Sequence, residues 1–311
     1  LFPDTLSFKL HGRGYSTQKR EDWRRENVDL IIESLGKTIK QIKPHVKFGI
    51  SPFGVWRNND IDSLGSASRA TVTNYDHLYA DVLKWQRNGW IDYLIPQIYW
   101  ELGHPSADYQ TLTSWWANHA YNRHIYNGLA SYKAVEASVD AWKDPNQQRK
   151  QVEWARKTNN IHGVAFFRMQ NLIANPRGST DSLTSNLFSS KAIVPPMPWI
   201  DMQNPTAPDR MILKKDDDSD VLYWMFRRVR QSTDHKGFVV YATLERENPD
   251  FNNALNILGM TTELHFDLSE IEKKYPKEAP SPTFVYLWVA SIDRLNNESN
   301  PAGPLKYKLK K

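Results

Sequence analysis

Cysteine is absent from the 311-residue chain, which excludes disulfides, thiolate nucleophiles and thiolate metal sites but leaves the redox compartment open. No apolar run approaches the roughly 20 residues of a membrane-spanning helix, and the opening residues LFPDTLSFKL lack the basic-then-apolar order of a signal peptide. The chain begins with Leu1 and not with Met, so we expect a processed protein or a fragment whose N-terminus does not report on export.

Common cofactor and nucleophile motifs are also missing: there is no P-loop, no GxGxxG after a strand, no GxSxG elbow and no HExxH. The nine histidines do not pair at metal-ligand spacing, and the nearest pair, His119 and His124, is expected at the surface. The acidic run DDDSD at 216–220 lacks the central Gly and closing Glu of a calcium loop, so it predicts a solvated turn. We therefore expect neither a cofactor nor a metal.

The formal charge is +5, but lysines and arginines are scattered along the chain without a basic block, so nucleic acid is not an expected partner. Aromatic residues are abundant, with 12 Trp and 14 Tyr. Flat rings with a polar edge stack on sugars or bases, and they also fill cores. Carboxylates and aromatics are thus the residues left to carry function.

Helical and strand patterns alternate along the first 190 residues or so. Helices are predicted at 22–44, 75–88, 109–121, 138–158 and 180–188, strands at 46–51, 91–99, 124–130 and 163–167, and a loop at 1–18. Apolar strands separated by helices are typical of βα units around a parallel sheet. We count four units, whereas a closed barrel needs eight.

A different pattern follows five prolines, which predict a linker at 195–208. Short strands are then expected at 220–226, 237–244, 263–268, 283–292 and 304–308, as in a small β-sandwich. The predicted fold class is α/β plus all-β: a partial (β/α)8 barrel of about four βα units at 1–194, and a β-sandwich at 209–311.

Three polar or aromatic residues, Trp56, Arg57 and Asn58, follow the first predicted strand. An indole platform flanked by a guanidinium and an amide suits a sugar ring, because C–H groups pack on the ring while hydroxyls meet the polar partners. The competing interpretation is that Trp56 packs under a loop. Tyr132 and Arg168, which follow the third and fourth strands, are weaker candidates on the same reasoning.

The second strand carries further candidates. Alternation places Gln97 and Tyr99 on one face, where Gln97 faces a barrel mouth or, equally, ties down a neighbouring loop. Trp100 and Glu101 continue into the following loop, which in βα barrels belongs to the active face. Glu101 is therefore a candidate acid, base or hydroxyl acceptor, and the alternative is a solvent-exposed loop glutamate.

Several segments resemble the glycosyl hydrolase-like 10 (YngK-like) family over roughly residues 1–190: SPFGVWRN from Ser51, NYDHLYAD from Asn74, WIDYLIPQIYW from Trp90, the Trp115–Trp116 pair and LASY from Leu129. The later segments VVYATLE from Val239 and VYLWVASIDRLNNES from Val285 resemble a fibronectin type III-like domain. In such a domain Tyr286 is expected to be the corner tyrosine.

The resemblance implies a (β/α)8 barrel in an exported bacterial protein, often a lipoprotein, that cleaves glycosidic bonds, with cell-wall glycan as a candidate substrate. Its location is then extracytoplasmic, in the periplasm or cell envelope. Glycosidases need two carboxylates, and in this family the acidic cluster is expected after the fourth strand in an Asp-Asp-Tyr setting. That motif is not in the sequence, and LFPDTLSF resembles the loop that follows it.

The resemblance therefore implies that the first four βα units and the principal catalytic acid are missing from this chain. We expect a hydrolase-type fragment that is inactive alone, with Glu101 as the only chemically suggestive carboxylate. Trp56, Arg57, Asn58, Gln97, Tyr99, Trp100 and Tyr132 are the residues expected to bind a polysaccharide or oligosaccharide. The alternative is a non-catalytic carbohydrate-binding or scaffold module. An open barrel edge also predicts self-association.

Overall fold

The computed structural model describes residues 3–215, 219–227, 234–276 and 282–309. The chain divides into two compact units, Leu1–Leu187 and Phe188–Lys311. The proline-rich segment 195–208, expected to be a linker, falls inside the second unit. The first three aspartates of the acidic run, Asp216 to Asp218, lie outside the described residues. Within the described ranges, none of the helices combines the length and apolar character needed to cross a lipid bilayer.

The first unit alternates helices and strands. Its helices are α1 (Thr5–His11), α2 (Arg20–Ile42), α3 (Asn74–His77), α4 (Val82–Arg87), α5 (Tyr109–Asn118), α6 (Ser131–Glu136), α7 (Gln147–Lys157), α8 (Met169–Ala174) and α9 (Ser179–Thr184). Its strands are β1 (Gly49–Ile50), β2 (Tyr93–Leu94), β3 (His124–Ala130) and β4 (Ile161–Phe167). They form one sheet of order β1-β2-β3-β4, and every neighbouring pair is parallel. A partial α/β barrel is therefore confirmed.

One face of this sheet is covered and the other is open. Leu94, Ile98, Ile125 and Leu129 are fully buried in the core that the helices complete. The alternate side chains of β2 and its extension, such as Tyr93 and Tyr99, remain partly exposed on the opposite face. Because side chains alternate along a strand, the open face continues to the carboxyl edge of the sheet.

Two predicted helices are interrupted. The helix expected at 75–88 is two short helices, α3 and α4, because Tyr79 between them adopts a left-handed φ of 53°. The helix expected at 138–158 begins only at Gln147, after a 3-10 turn at Asp140–Lys143. Pro145 separates the two, and a proline disfavours helical backbone in the residue before it.

Some helices of the first unit were not predicted, and two of its strands are shorter than predicted. Residues 1–18 are not all loop: α1 forms there because Phe8 packs edge-on against Trp23, with ring centroids 5.1 Å apart. Helices α6 and α8 were not predicted, and β1 and β2 are two residues long where six and nine were expected. Beyond β2, pairing continues only as isolated parallel bridges of Gln97 with Phe53 and Gly128.

The second unit consists of two antiparallel sheets. Its strands are β5 (Asp209–Lys214), β6 (Val221–Met225), β7 (His235–Thr243), β8 (Ile257–Thr261), β9 (His265–Asp267), β10 (Phe284–Asp293) and β11 (Ala302–Lys308), with one helix, α10 (Ser269–Lys274), among the described residues. The sheets have the orders β5-β6-β9 and β11-β10-β7-β8. Strands β5 and β8 and helix α10 were missed by the sequence patterns.

Two tyrosines of the second unit, Tyr286 and Tyr307, lie in different surroundings. Val285 and Leu287 of β10 are fully buried in the main core, whereas Tyr286 packs on the opposite face of its sheet. The expectation that Tyr286 is a corner tyrosine stays a prediction. The buried hydroxyl that links the two sheets is that of Tyr307, which donates to Asp220 Oδ2 over 3.0 Å.

Candidate functional site

Three aromatic side chains meet at the carboxyl edge of the parallel sheet. Tyr99 follows β2, Tyr132 is the second residue of α6, which begins directly after β3, and Phe167 ends β4. The Tyr99 ring stacks on Phe167 with centroids 6.1 Å apart and meets Tyr132 edge-on at 6.0 Å, while Tyr132 meets Phe167 edge-on at 6.2 Å. We call these three residues the aromatic cluster. Phe167 is 52% exposed, so the cluster offers a ring to solvent.

Burial shapes the chemistry of the two tyrosines. Partial burial raises the pKa of the Tyr99 hydroxyl, and the nearby Tyr132 raises it further. Burial likewise raises the pKa of Tyr132, with an added contribution from Glu136. Both phenols therefore stay protonated at neutral pH and can donate as well as accept hydrogen bonds.

Gln97 lies two residues before Tyr99 on the same strand extension. Its side-chain Nε2 donates to the backbone oxygen of Ser51 at 3.2 Å and to Ser51 Oγ at 3.3 Å. The amide donors thus tie β1 to β2, as the loop-anchoring interpretation proposed. The side-chain carbonyl oxygen of Gln97, Oε1, makes no hydrogen bond within the described residues, so it remains an acceptor for a ligand hydroxyl.

Glu101 is held beneath the loops at the same edge. Only 9% of it is exposed, and its Oε2 accepts a hydrogen bond from Trp142 Nε1 at 3.0 Å. The interpretation of Glu101 as an exposed loop residue is wrong, because Trp142 in the 3-10 turn at Asp140–Lys143 covers it. In the part of the chain that the structure describes, its other oxygen, Oε1, has no hydrogen-bond partner.

Trp100 lies on the inner side of the same loop. Its ring meets Phe53 edge-on with centroids 5.5 Å apart. Glycine at position 54 permits this approach, since a Cβ there would lie 2.7 Å from the Trp100 ring and 2.5 Å from the Gln97 backbone oxygen. Trp100 is partly buried and therefore supports the strand ends more than it presents a platform.

Trp56 is not the exposed platform that its position after β1 suggested. It is 5% exposed, stacks on Trp115 with centroids 6.0 Å apart and meets Tyr75 edge-on at 5.5 Å. An indole packed in the core has no free face for a sugar ring. The competing interpretation, packing beneath a loop, is the one that the structure bears out.

Arg57 and Asn58 use their polar groups within the fold. Arg57 donates from Nε and Nη2 to Asp76 and from Nη1 to Asp62, at 2.6 to 3.0 Å, and the hydrogen bonds that it donates to Asp76 are the largest cause of its raised pKa. The Asn58 amide donates to the Ala70 backbone oxygen and accepts from Ser68 Oγ and the Ala70 N–H. Neither side chain joins the aromatic cluster.

Phe167 is the residue that sequence reasoning missed, since only its neighbour Arg168 was considered. The signal was present: Gly163, Ala165 and Phe167 alternate along β4 and pair with Tyr126, Gly128 and Ala130 of β3. Arg168 is exposed, and its guanidinium forms no hydrogen bond or ion pair with the residues that the structure describes. It follows Phe167 in the sequence, and its positive charge is available to a ligand.

The two histidines expected at the surface behave differently. His119 stacks on Trp115, with ring centroids 4.3 Å apart, whereas His124 is only 4% exposed and stacks on His162 at 3.8 Å. Surface placement is therefore wrong for His124. Burial lowers its pKa to about 3, so it is neutral at physiological pH. Among the described residues, no group of three or more His, Cys, Asp or Glu side chains is arranged to hold a metal.

The aromatic cluster, Gln97 and Glu101 are better arranged to bind a sugar than to hydrolyse a glycosidic bond. The cluster offers an apolar ring and two phenols, with a free carbonyl on Gln97 and a carboxylate oxygen on Glu101. Glycoside hydrolysis needs a second carboxyl group about 5 to 10 Å from the first. The other carboxylate that acts on the aromatic cluster among the described contacts is Glu136, which raises the pKa of Tyr132.

Comparison with known proteins agrees with the architecture. Residues 4–145 match the model of the family described as Glycosyl hydrolase-like 10. The chain is 37% identical over 300 residues to glycosyl hydrolase YngK of Bacillus subtilis, covering 96% of this chain and 57% of that protein. It is 41% identical over 137 residues to glycosyl hydrolase DigH of Escherichia coli K12, covering 43% of this chain and 30% of that protein. The chain therefore spans about half, or less, of these relatives.

Solved structures add little. The crystal structure of the Clostridium perfringens spore cortex lytic enzyme SleM aligns over 70% of this chain and 66% of its own, at 10% identity and a TM-score of 0.25. A score this low carries no argument about fold or function.

Taken with its parallel βα sheet, the match defines the first unit as a glycosyl hydrolase-like partial barrel. The resemblance to the glycosyl hydrolase-like 10 (YngK-like) family is confirmed, and residues 4–145 belong to it.

Proposed function

We propose that the chain binds a polysaccharide through the aromatic cluster at the carboxyl edge of its parallel sheet. The observation that carries this proposal is the meeting of Tyr99, Tyr132 and Phe167 at the ends of three neighbouring strands, with one ring 52% exposed. In α/β barrels this edge carries the active site. Family membership supports a glycan as the ligand.

Each residue has a distinct part in the proposed site. The Phe167 ring packs on the C–H face of a sugar, and the two phenols and the Gln97 carbonyl meet its hydroxyls. Glu101 Oε1 accepts a further hydroxyl, while Trp142 fixes the orientation of the carboxylate. Trp100 holds the loop in place. Trp56, Arg57 and Asn58 are left out of the proposed site because their rings and polar groups are occupied.

Hydrolysis is a separate step in this proposal. Because the expected Asp-Asp-Tyr cluster is not in the sequence, we infer that the 311-residue chain binds glycan without cleaving it. Bacterial cell-wall glycan is the proposed polymer, and the proposed location is extracytoplasmic, in the periplasm or cell envelope. Release of reducing ends from purified cell-wall glycan by this chain would contradict the inference, and recovery of the protein in the cytoplasmic fraction would contradict the location.

A binding assay tests the site directly. The full chain is mixed with insoluble cell-wall glycan, and bound and free protein are measured by sedimentation. Phe167→Ala is expected to weaken binding about tenfold, because a lost ring contact of about 1.4 kcal/mol corresponds to that factor. Trp154→Ala, which removes a ring that is 36% exposed on α7, is the matched control and is expected to bind normally. Equal binding by both variants would refute the proposed site.

The second unit is proposed to be a fibronectin type III-like sandwich that acts as a spacer. Seven strands in sheets of three and four, with the orders β5-β6-β9 and β11-β10-β7-β8, support this assignment.

The first unit is also proposed to self-associate through the outer edges of β1 and β4, which have no neighbouring strand within the described residues. Sedimentation velocity tests this directly. A monomer at every concentration would contradict it.

A further inference from the structure

The second unit contains a groove that plays no part in the site described above. It encloses about 400 Å³ between the segment at 192–196, the residues at 251–257 and the turn at 296–298. Ligand pockets in proteins commonly have volumes of about 300 to 1,000 Å³, so this one suits one or two sugar-sized rings. We call it the Glu298 groove.

Glu298 is the charged residue of this groove. Its Oε2 accepts a hydrogen bond from the hydroxyl of Tyr241, a β7 residue that is fully buried. Its other oxygen, Oε1, has no hydrogen bond, and no cation pairs with the carboxyl group, within the ranges that the structure describes. Burial raises the pKa of Glu298, and the Tyr241 bond only partly opposes this effect. A desolvated carboxyl without a cationic partner favours a ligand that brings a donor.

Two exposed asparagine side chains line the same groove. Asn204 lies within the proline-rich segment at 195–208 and Asn252 belongs to the loop before β8, so they come from separate parts of the chain. Both are exposed, and their side-chain amides form no hydrogen bond in the described part of the chain. Asn297 differs, because its Nδ2 donates to Asp293 Oδ2 at 2.9 Å. An amide both donates and accepts, which suits a ligand rich in hydroxyl groups.

The rest of the lining is apolar. Ile193 and Pro195 contribute from one segment and Phe251 and Ile257 from the other. The Phe251 ring is fixed by edge contacts with Tyr241 and Trp288, at centroid distances of 5.1 and 5.4 Å. A fixed ring and aliphatic side chains accommodate the C–H faces of a sugar.

We propose that the Glu298 groove is a second saccharide-binding site, which takes one or two sugar units. A ligand hydroxyl or ammonium donates to Glu298 Oε1, the Asn204 and Asn252 amides hold neighbouring hydroxyls, and the ring face packs on Phe251. The alternating apolar and hydroxyl-bearing surfaces of a sugar match this lining better than a peptide does. The groove does not depend on the aromatic cluster, because it is formed entirely by the second unit.

The experiment uses the full chain labelled with ¹³C at isoleucine methyl groups, so that Ile193 and Ile257 report on the groove. Three trisaccharides are titrated: of glucose, of N-acetylglucosamine and of glucosamine. We expect saturable shifts of these two methyl groups. Glu298→Gln is expected to raise the Kd at least tenfold, because its carbonyl takes the Tyr241 bond and leaves an NH2 group where a carboxylate oxygen stood. Asn252→Ala is expected to raise the Kd about threefold.

Two control variants keep the test sharp. Glu263→Gln alters an exposed glutamate outside the groove, and Phe167→Ala alters the aromatic cluster; both are expected to leave these shifts unchanged. Tighter binding of the glucosamine trimer would identify the donor as an ammonium, and equal binding of all three trimers would identify it as a hydroxyl; either result supports the site. Absence of methyl shifts at millimolar sugar, shifts unaffected by Glu298→Gln in a folded variant, or binding of a lysine-containing peptide in place of sugar would overturn it.

Discussion

Replacing Arg57 by Met separates a structural role from a binding role at the residue that the sequence placed in a sugar site. Its guanidinium is 20% exposed and makes three hydrogen bonds to Asp76 and one to Asp62, two carboxylates that are 27% and 30% exposed. Surface ion pairs contribute up to about 1 kcal/mol, and breaking a buried pair costs about 3 to 5 kcal/mol. For this intermediate burial we expect a loss of about 2 kcal/mol.

Thermal unfolding followed by circular dichroism measures this loss. For a unit of this size, about 2 kcal/mol corresponds to a fall in Tm of about 4 to 8 °C. Arg13→Met is the matched control, since Arg13 forms a similar fork with Glu26, but both side chains are more exposed, at 39% and 37%. We expect the control to lose less than about 1 kcal/mol.

Glycan binding decides between the two roles. Arg57→Met is expected to bind cell-wall glycan as the unaltered chain does at a temperature where both are folded. The reasoning would be refuted if this variant kept its Tm and bound glycan more than tenfold more weakly.

Three further predictions concern buried polar groups. Burial lowers the pKa of His124 from 6.5 to about 3, so the unfolded chain takes up the proton first; the stability gained from neutral His124 is complete above about pH 6.5 and is lost as the pH falls toward 3. Urea titrations should show a loss on the order of 2 kcal/mol between pH 7 and 5, and a flatter profile in His124→Gln. Tyr307→Phe removes the hydrogen bond to buried Asp220 and should cost about 1.5 to 3 kcal/mol by urea unfolding; an unchanged midpoint would contradict this. Trp142→Phe removes the donor to buried Glu101, so it should cost about 1 to 3 kcal/mol of stability and weaken glycan binding severalfold at a temperature where the variant is folded; unchanged affinity would exclude an orienting role.

The alternation of apolar strands and amphipathic helices was enough to predict the parallel half of the fold. That pattern depends on burial of one helix face, as Trp23 and Ile32 of α2 illustrate. The break between α3 and α4 at Tyr79 could not be predicted from this periodicity. It depends on a tertiary contact, because the Tyr79 hydroxyl accepts a hydrogen bond from Arg24 of α2.

The candidate site was only partly predictable for a related reason. Tyr99 and Tyr132 were candidates because each follows a predicted strand, and the two rings do meet, 6.0 Å apart. A position after a strand could not show that Trp56 turns into the core, because this depends on Trp115 from a helix almost 60 positions later in the sequence. Phe167 was overlooked because a phenylalanine at a strand end reads as core, and only the open face of the sheet exposes it.

Strand β10 of the second unit is packed on both faces, unlike a strand at the surface. Val285, Leu287 and Val289 point into the core between the sheets, and Trp288, Ala290 and Ile292 pack on the other face, while β7 and β11 occupy both edges. A slip of one residue would exchange the two sets of side chains and misplace both clusters at once. Both faces of this strand pack against apolar clusters, so a polar substitution on either face is expected to be destabilising. Its ten residues set the register of the four-stranded sheet.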